Sequence, residues 1–187
     1  MMQVNDDDAE LMVLVRKGGN AAFEKLLNKY ERPILNYIHR FTGNKTKAED
    51  ITQEVFLRVY KSKDTYKPAA KFSTWLYSIA TNLCIDYKRK LSRDALANHD
   101  VLIDNKNERA ILENTLEKTV EVDQIEQIVK MAILSLPEKE RAALTLQFYD
   151  NKSYKEISDI LNMSISSIES MLFRARQRLK KSLRKLM

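Results

Sequence analysis

The sequence SYKEISDILNMSISSIESMLFRARQRL, residues 153–179, decides the fold expected for this chain. It opens with a serine followed three residues later by a glutamate, the pattern of a capping box that starts a helix. Apolar residues then recur at helical spacing on both sides of a polar turn at residues 162–164. Two short helices at a tight turn, followed by a basic segment, are typical of a helix-turn-helix. The alternative is a plain helical hairpin with a basic surface tail.

The second of these helices is expected to enter the major groove of DNA through residues near its N-terminus. Those residues are Ser164, Ser166, Ser167, Glu169 and Ser170. Residues 174–187 carry seven basic and no acidic side chains, so Arg174 and Arg176 are expected to lie near phosphates. Upstream, Pro137 is placed in the first turn of a further helix that ends at the turn of Asp150 and Asn151.

Charge is distributed along the chain in blocks. Residues 1–60 are neutral overall, residues 61–93 carry a net charge of +6, residues 94–126 carry −6, and residues 127–187 carry +6. The acidic block has no aromatic residue and no sustained apolar stripe, which indicates a flexible linker. A short helix at 109–116 is compatible with that linker. The alternative is a single domain with one solvated acidic helix.

Glycine is scarce, and all three glycines precede residue 44, which disfavours a sheet protein. The composition therefore predicts an all-α protein with two small helical domains, at residues 1–93 and 123–187. The acidic linker between them is placed at residues 94–122.

The first domain begins with an apolar stripe that predicts one long helix through residues 23–41, which Pro33 would kink or restart. Gly43 and Asn44 are expected to end it, and Thr46 with Glu49 forms a candidate capping box for the next helix. The outer side of that next helix carries Asp50, Gln53, Glu54, Leu57 and Arg58, opposite the inward Ala48, Ile51, Val55 and Val59. Spacing alone favours an ordinary solvated surface here over a protein-docking face.

The segment TWLYSIATNLCIDYKRK, residues 74–90, predicts a further helix that Ser73 caps. Its buried stripe is predicted at Leu76, Ile79, Ala80, Leu83 and Tyr87. The opposite side collects Trp75, Tyr77, Ser78, Thr81, Asn82, Ile85, Lys88 and Arg89. Aromatic rings, amides and cations on one side are typical of a surface that binds single-stranded nucleic acid. Packing of Trp75 and Tyr77 against the preceding helices explains the same pattern equally well.

Several classes of protein are disfavoured by the sequence. No apolar run approaches the roughly 20 residues of a membrane span, and the acidic start MMQVNDDDAE is unlike a signal peptide. A single cysteine, Cys84, cannot form an internal disulfide, and two histidines do not supply a zinc site. No phosphate-binding glycine loop or catalytic motif is present. We therefore expect a cytoplasmic, non-enzymatic protein with no metal site and no cofactor.

Three segments in this order resemble the bacterial sigma factors of the extracytoplasmic-function group. They are EDITQEVFLRVYKS at 49–62, KFSTWLYSIATNLCIDYKRK at 71–90, and the stretch from LPEKER at 136 to RARQRL at 179. The resemblance covers residues 10–92 and 125–183. It implies two helical domains, sigma region 2 and sigma region 4, joined by a flexible linker. The function it implies is that of a promoter-specificity subunit, which directs core RNA polymerase to promoters and helps to open the duplex.

The same resemblance implies roles for particular residues. Asp50, Ile51, Gln53, Glu54 and Leu57 match the helix that docks on the clamp helices of the polymerase β′ subunit. Residues 63–73 match the loop that receives a flipped base of the −10 element. The candidate −10 residues in and after that loop are Lys71, Ser73, Trp75, Tyr77, Asn82, Lys88 and Arg89. The helix-turn-helix would bind the −35 element, and the first helices of region 4 would contact the β flap.

Glu169 departs from the family pattern, which often has a basic residue there and again at Met171. A carboxylate in the groove can accept from the amino group of a cytosine. Alternatively, Glu169 turns aside and pairs with Arg174 or Lys155.

The partners implied by the family are core RNA polymerase, promoter DNA and an anti-sigma factor, which is often membrane-anchored. A different class, a ligand-responsive homodimeric helix-turn-helix repressor, would bind duplex DNA tightly by itself. Such a repressor does not need the basic and aromatic surface at residues 75–89. A helical adaptor protein would leave the basic C-terminal helix without a role.

Overall fold

The computed structural model describes residues 6–68, 71–97 and 121–186, and these ranges form eight α-helices and no strand. In chain order the helices are α1 Asp7–Arg16, α2 Asn20–Thr42, α3 Lys45–Lys61, α4 Phe72–Ala97, α5 Glu121–Leu134, α6 Glu138–Phe148, α7 Tyr154–Leu161 and α8 Ile165–Leu186. The all-α class is confirmed. The first and last residues of the predicted linker belong to α4 and α5, and the short helix predicted at 109–116 lies outside the described residues. Within the described ranges, no helix combines the length and the hydropathy that crossing a membrane requires.

The first four helices pack around the apolar face of α2, from which Leu26, Ile34 and Phe41 are fully buried. Pro33 lies inside α2, which continues without interruption through it, so the proline does not restart the helix. Gly43 ends α2 with a left-handed φ of 72°, a conformation that glycine adopts without steric cost. The helix end predicted at Gly43 is confirmed.

Two of the helix starts differ from the prediction. Asn44 caps α3, because its side-chain oxygen accepts from the backbone N–H of Lys47 at 3.0 Å. The capping box of Thr46 and Glu49 is therefore wrong, since the earlier Asn44 already has the extended backbone that a cap requires. Likewise, Ser73 lies inside α4 rather than before it.

One carboxylate satisfies backbone groups at the starts of both α1 and α4. Asp6 accepts from the N–H of Asp8 at 3.2 Å and, through its other oxygen, from the N–H of Phe72 at 2.6 Å. The first N–H groups of a helix have no partner within it, and a negative charge there is favoured by the helix dipole. Asp6 thus fixes α1 against the start of α4.

Helices α7 and α8 begin at the residues expected for a helix-turn-helix, and α6 precedes them. Ser153 and Glu156 form the predicted capping box of α7, which is confirmed. Asn162 then turns the chain with a φ of 51°, and Ser164 accepts from the N–H of Ser167 at 3.2 Å at the start of α8. Pro137 precedes α6 as its N-cap, one position before the predicted one.

The two halves of the chain are joined by Arg141 of α6, which is 2% exposed. Its guanidinium donates to the carbonyl of Phe41, in the last turn of α2, at 2.9 Å. It also donates to the carbonyl of Leu136 at 3.2 Å and to that of Leu134, where α5 ends. Carbonyls at the end of a helix lack partners within it, and a cation is favoured beside them. The Arg141 side chain therefore donates hydrogen bonds to carbonyls at helix ends in both halves of the chain.

Replacing Arg141 with methionine should lower the free energy of unfolding by about 3 kcal/mol, because buried carbonyls lose their donor. Arg58→Met is the matched control, since Arg58 and its ion-pair partner Glu54, at 2.9 Å, are both on the surface of α3. We expect the control to lose less than about 1 kcal/mol. Urea unfolding followed by circular dichroism measures both, and equal losses would contradict the role given to Arg141.

Candidate functional site

The outer side of α3 forms an acidic surface that also carries one exposed apolar side chain. We call Asp50, Gln53, Glu54 and Leu57 the α3 face. Leu57 is 45% exposed, and Asp50 and Gln53 are also exposed. Asp50 pairs with Lys47 at 3.2 Å and Glu54 with Arg58 at 2.9 Å. Such pairs within one exposed helix are weak, so both carboxylates remain available to a partner.

Ile51, the fifth residue of this candidate set, is placed differently from the other four. It is 8% exposed and belongs to the hydrophobic core between the first helices. Its contribution to the surface is therefore small, and its position agrees with the inward stripe that the helical spacing predicted.

The start of α4 carries a cluster of aromatic rings. The ring of Trp75 lies 4.8 Å from that of Tyr66 and 5.8 Å from that of Phe72, measured between centroids. Trp75 remains half-buried, whereas Tyr66 is 6% exposed, and burial raises the pKa of Tyr66 to about 12. Both interpretations of Trp75 thus hold in part, because the ring packs on its neighbours and keeps an accessible portion. Ser73 beside it is half-buried.

The other residues that were predicted on the outer side of α4 fall into two groups, one exposed to solvent and one buried. Asn82 and Arg89 are exposed, and Lys88 is half-buried. In contrast, Tyr77, Thr81 and Ile85 are 4%, 0% and 7% exposed, so their placement on the outer side is wrong.

The covered part of α4 has a physical cause. Helix α4 packs against α2 and α3 on one side and also against α6 and α7 of the second half. A helix enclosed from two directions buries a wider arc than the single stripe assumed from the sequence. The buried arc is also displaced from the predicted stripe towards Tyr77, Thr81 and Ile85, so the predicted inner residues Ile79, Leu83 and Tyr87 are only partly buried.

The turn between α6 and α7, residues 149–153, is the part of the second half that covers Tyr77. The Tyr77 hydroxyl donates to Asp150 Oδ1 at 2.8 Å, and Lys152 Nζ lies 4.6 Å from the centre of the Tyr77 ring. Burial raises the pKa of Asp150, while Tyr77, Arg40 and Lys152 favour the charged carboxylate and oppose that shift. Burial likewise raises the pKa of Tyr77 well above its usual range.

The exposed N-terminal part of α8 carries the groups predicted to face DNA. Ser164 Oγ lies 3.1 Å from Ser166 Oγ and 2.7 Å from Ser167 Oγ, so the three hydroxyls form one cluster. Ser166, Glu169 and Ser170 are exposed, whereas Ile168, Met171 and Leu172 are buried on the other side of the helix. This surface is polar and bears one negative charge, that of Glu169.

The pairing of Glu169 with Arg174 or Lys155 is wrong. Arg174 lies 3.6 Å from Glu140, and Lys155 lies 2.6 Å from Asp159. Glu140 has a side chain only 9% exposed, so its desolvated carboxylate attracts arginines more strongly than an exposed one does. Among the described residues Glu169 forms no ion pair and faces solvent.

Arg176 is exposed but points back towards α6 and α7. It donates to Gln147 Oε1 at 2.9 Å and lies 3.5 Å from the hydroxyl of Tyr154, whose pKa it lowers. These hydrogen bonds to Gln147 and Tyr154 are on the surface, so Arg176 can give them up and bind a phosphate instead.

Phe173 is a surface residue that the sequence analysis overlooked. It is 62% exposed on the same side of α8 as Glu169 and Ser170. Helical spacing could have identified it. Phe173 lies four residues after Glu169 and three after Ser170, whereas the buried stripe runs through Met171 and Leu172. An exposed phenylalanine beside hydroxyls can contact the methyl group of a thymine.

Comparison with known families matches the two halves separately. Residues 26–94 match the family model Sigma-70 region 2, and residues 126–179 match Sigma-70, region 4. Over 176 residues the chain is 35% identical to the ECF RNA polymerase sigma factor SigW of Bacillus subtilis, covering 92% of this chain and 94% of SigW. This chain is an extracytoplasmic-function sigma factor. The alternative repressor class is therefore not favoured.

The fold of this sigma factor is also similar to that of solved structures. One is a structure of CnrH in complex with the cytosolic domain of CnrY, with a TM-score of 0.71, 19% identity, and coverage of 96% of this chain and 99% of that one. Another is the sigma factor RpoE from Bartonella quintana in complex with the anti-sigma factor NepR, with a TM-score of 0.66 and 21% identity. That match covers 87% of this chain and 96% of RpoE.

The buried Asp150 carboxyl should make the stability of this sigma factor depend on pH. Its pKa in the folded chain lies above the ordinary 3.8, so folding favours the neutral form. This contribution is fully present below pH 3.8 and is lost as the pH rises through the raised pKa. Relative to Asp150→Asn, whose amide stays neutral, the Tm of the wild type should fall as the pH rises towards neutrality. A difference in Tm that stays constant with pH would contradict this assignment.

Proposed function

We propose that this sigma factor docks on core RNA polymerase through the α3 face and reads promoter DNA through α4 and α8. The observation that supports this most is the exposed acidic α3 face, which includes the exposed Leu57, on the same domain as the basic and aromatic α4. The α3 face would contact the clamp helices of the β′ subunit, and the first helices of region 4 would contact the β flap. In this proposal residues 1–93 form region 2, residues 94–122 the linker and residues 123–187 region 4.

The proposed −10 surface consists of the loop at residues 63–73 and the exposed part of α4. Trp75 offers a ring on which a base can stack, Asn82 an amide for base edges, and Lys88 and Arg89 cations for phosphates. Unstacking of bases costs a few kcal/mol per step, which such contacts offset. The other members of the set are Lys71, Ser73 and Tyr77.

The proposed −35 surface is the exposed N-terminal part of α8. Ser164, Ser166, Ser167 and Ser170 supply hydroxyls for phosphates and bases, and Arg174 and Arg176 supply charge. Glu169 would accept from a cytosine amino group, and Phe173 would contact a thymine methyl group. The carboxylate of Glu169 also repels phosphate, so it would favour one base while lowering general affinity for DNA.

The remaining partners in this proposal follow from the family. An anti-sigma factor would bind this chain, as NepR binds RpoE in a solved complex. Such factors are often anchored in the membrane. The chain itself would act in the cytoplasm by binding alone, with polymerase carrying out the chemistry.

Transcription by purified core polymerase on genomic promoter fragments tests the proposal. Addition of this chain should produce new start sites, whereas Asp50→Arg with Glu54→Arg should abolish both the start sites and co-purification with polymerase. Reversing both charges of the α3 face replaces attraction by repulsion at a contact that needs complementary charge. The control is Glu24→Arg with Glu31→Arg, which reverses two exposed carboxylates on α2 and should retain activity. Start sites that persist in the α3 variant would contradict the docking assignment, and a footprint on duplex DNA without polymerase would favour a repressor.

The cations at the end of the −10 surface should appear in the salt dependence of promoter opening. Lys88→Ala with Arg89→Ala removes two charges, so the slope of log affinity against log salt should become shallower by about 1 to 2. Lys17→Ala with Lys25→Ala removes two exposed charges elsewhere and should leave the slope unchanged. Open-complex formation measured by permanganate reactivity at several salt concentrations gives the slope. Equal slopes for both variants would overturn the assignment of Lys88 and Arg89.

A further inference from the structure

The inference concerns the first turn of α6, whose Glu140 faces α8, and it rests on the proposed binding of the −35 element by α8. We propose that Glu140 is a positioning residue that keeps one of two arginines, Arg174 or Arg178, away from DNA. Region 4 then makes one phosphate contact at a place where α8 carries two cations.

Glu140 lies between the two arginines. Arg174 Nε is 3.6 Å from Glu140 Oε1, and Arg178 Nε is 3.2 Å from Glu140 Oε2. The Glu140 side chain is 9% exposed, whereas those of Arg174 and Arg178 are 54% and 60% exposed. The two arginines are four residues apart on α8, so they lie on the same side of that helix. One buried carboxylate therefore faces two cations that are also open to solvent.

The two arginines continue a row of residues that begins on the proposed −35 surface. Ser166, Ser170, Arg174 and Arg178 follow one another at intervals of four residues, and all four are exposed. Four residues make slightly more than one helical turn, so the row shifts from the middle of the −35 surface at Ser166 to its edge at Arg174. A helix nearly fills the width of the major groove, which places its edge beside a phosphate backbone. Phosphates would therefore compete with Glu140 for the two guanidinium groups.

Glu140 can give up one arginine but not both. Loss of both would leave a buried charge without a partner, which is strongly destabilising. Loss of one costs little, because the other still neutralises the carboxylate and an ion pair with an exposed side chain is weak. Among the described residues Glu140 Oε2 has no hydrogen bond, so Arg178 is held there by charge. One arginine can thus exchange Glu140 for a phosphate while the other stays.

The charge at position 140 would consequently set the number of phosphate contacts. With the native glutamate DNA gains one arginine, and with a neutral residue it gains both. Each phosphate contact releases counterions and adds about 0.9 to the slope of log affinity against log salt. Phosphates carry no sequence information directly, so the change should affect all duplexes alike. Glu140 would therefore limit the general affinity of region 4 for DNA and leave its choice of promoter unchanged.

Four variants separate the charge of Glu140 from its other properties. Glu140→Gln removes the charge and keeps the shape of the side chain. Glu140→Leu is a second route if the glutamine variant does not fold, since an apolar residue often replaces a buried charge without loss of stability. Glu138→Gln is the matched control, because it removes the same charge from the same turn of α6, and within the described ranges Glu138 forms no ion pair. Glu140→Gln with Arg174→Ala and Arg178→Ala removes both arginines and leaves no buried charge unpaired.

Binding of a fluorescent promoter duplex by the holoenzyme is measured at several salt concentrations, at a temperature low enough to keep the duplex closed. The second probe is the same duplex with a scrambled −35 element. Glu140→Gln and Glu140→Leu should steepen the slope by about 1 and tighten binding to both duplexes by the same factor. Glu138→Gln should behave as the wild type. The variant that also lacks both arginines should have a slope shallower than that of Glu140→Gln by about 2.

Equal slopes for the wild type and the folded Glu140 variants would overturn the proposal. Steepening that persists without the two arginines, or that Glu138→Gln reproduces, would also overturn it, because the charge would then act on DNA without them. A wild-type holoenzyme that binds the promoter and the scrambled duplex equally would instead refute the proposed reading of the −35 element. The comparison of slopes remains decisive in that case, since phosphates are present in both duplexes.

Discussion

The arrangement of the two described halves depends on the buried guanidinium of Arg141. It donates to carbonyls near the ends of α2 and α5, which belong to different halves of the chain. Removing an arginine from water is costly unless its donors are satisfied, so this side chain is stable only where those carbonyls converge. The halves are therefore held in one relative position, which brings the α6–α7 turn onto α4. In the same position Arg40 lies over the ring of Tyr149 and Tyr77 donates to Asp150.

The position of α4 explains how one helix can serve two purposes. Its inner side completes the core of the first half through Phe72, Leu76 and Ala80, which are fully buried. Its outer side is divided between an open part, with Asn82 and Arg89, and a part under region 4, with Tyr77. The second half thus covers the part of α4 that carries Tyr77 and leaves Asn82 and Arg89 open to solvent.

Local signals in the sequence predicted most of the fold. The capping box of Ser153 and Glu156, the end of α2 at Gly43 and the buried Ile168, Met171 and Leu172 depend on neighbours within a few residues, which the sequence displays. The burial of Tyr77 depends in part on the turn between α6 and α7, more than fifty residues away along the chain, and Thr81 is buried against Tyr37 of α2. The periodicity of a single helix does not register either contact. The cap of α3 was assigned to Thr46 instead of Asn44 because both residue types can cap a helix and the two lie only two positions apart. At the −35 surface, the suggested pairing of Glu169 was wrong because the buried Glu140 attracts Arg174 and Arg178 of α8 instead.

We propose that the α3 face docks on core polymerase and that the exposed part of α4 lies beside the melted non-template strand. A structure of the holoenzyme on an opened promoter, determined by cryo-electron microscopy, tests this most directly. The α3 face should lie on polymerase, and Trp75, Asn82 and Arg89 should lie beside the melted strand. An open complex in which the α3 face makes no contact with polymerase, or in which these α4 residues lie away from the melted strand, would contradict the proposal.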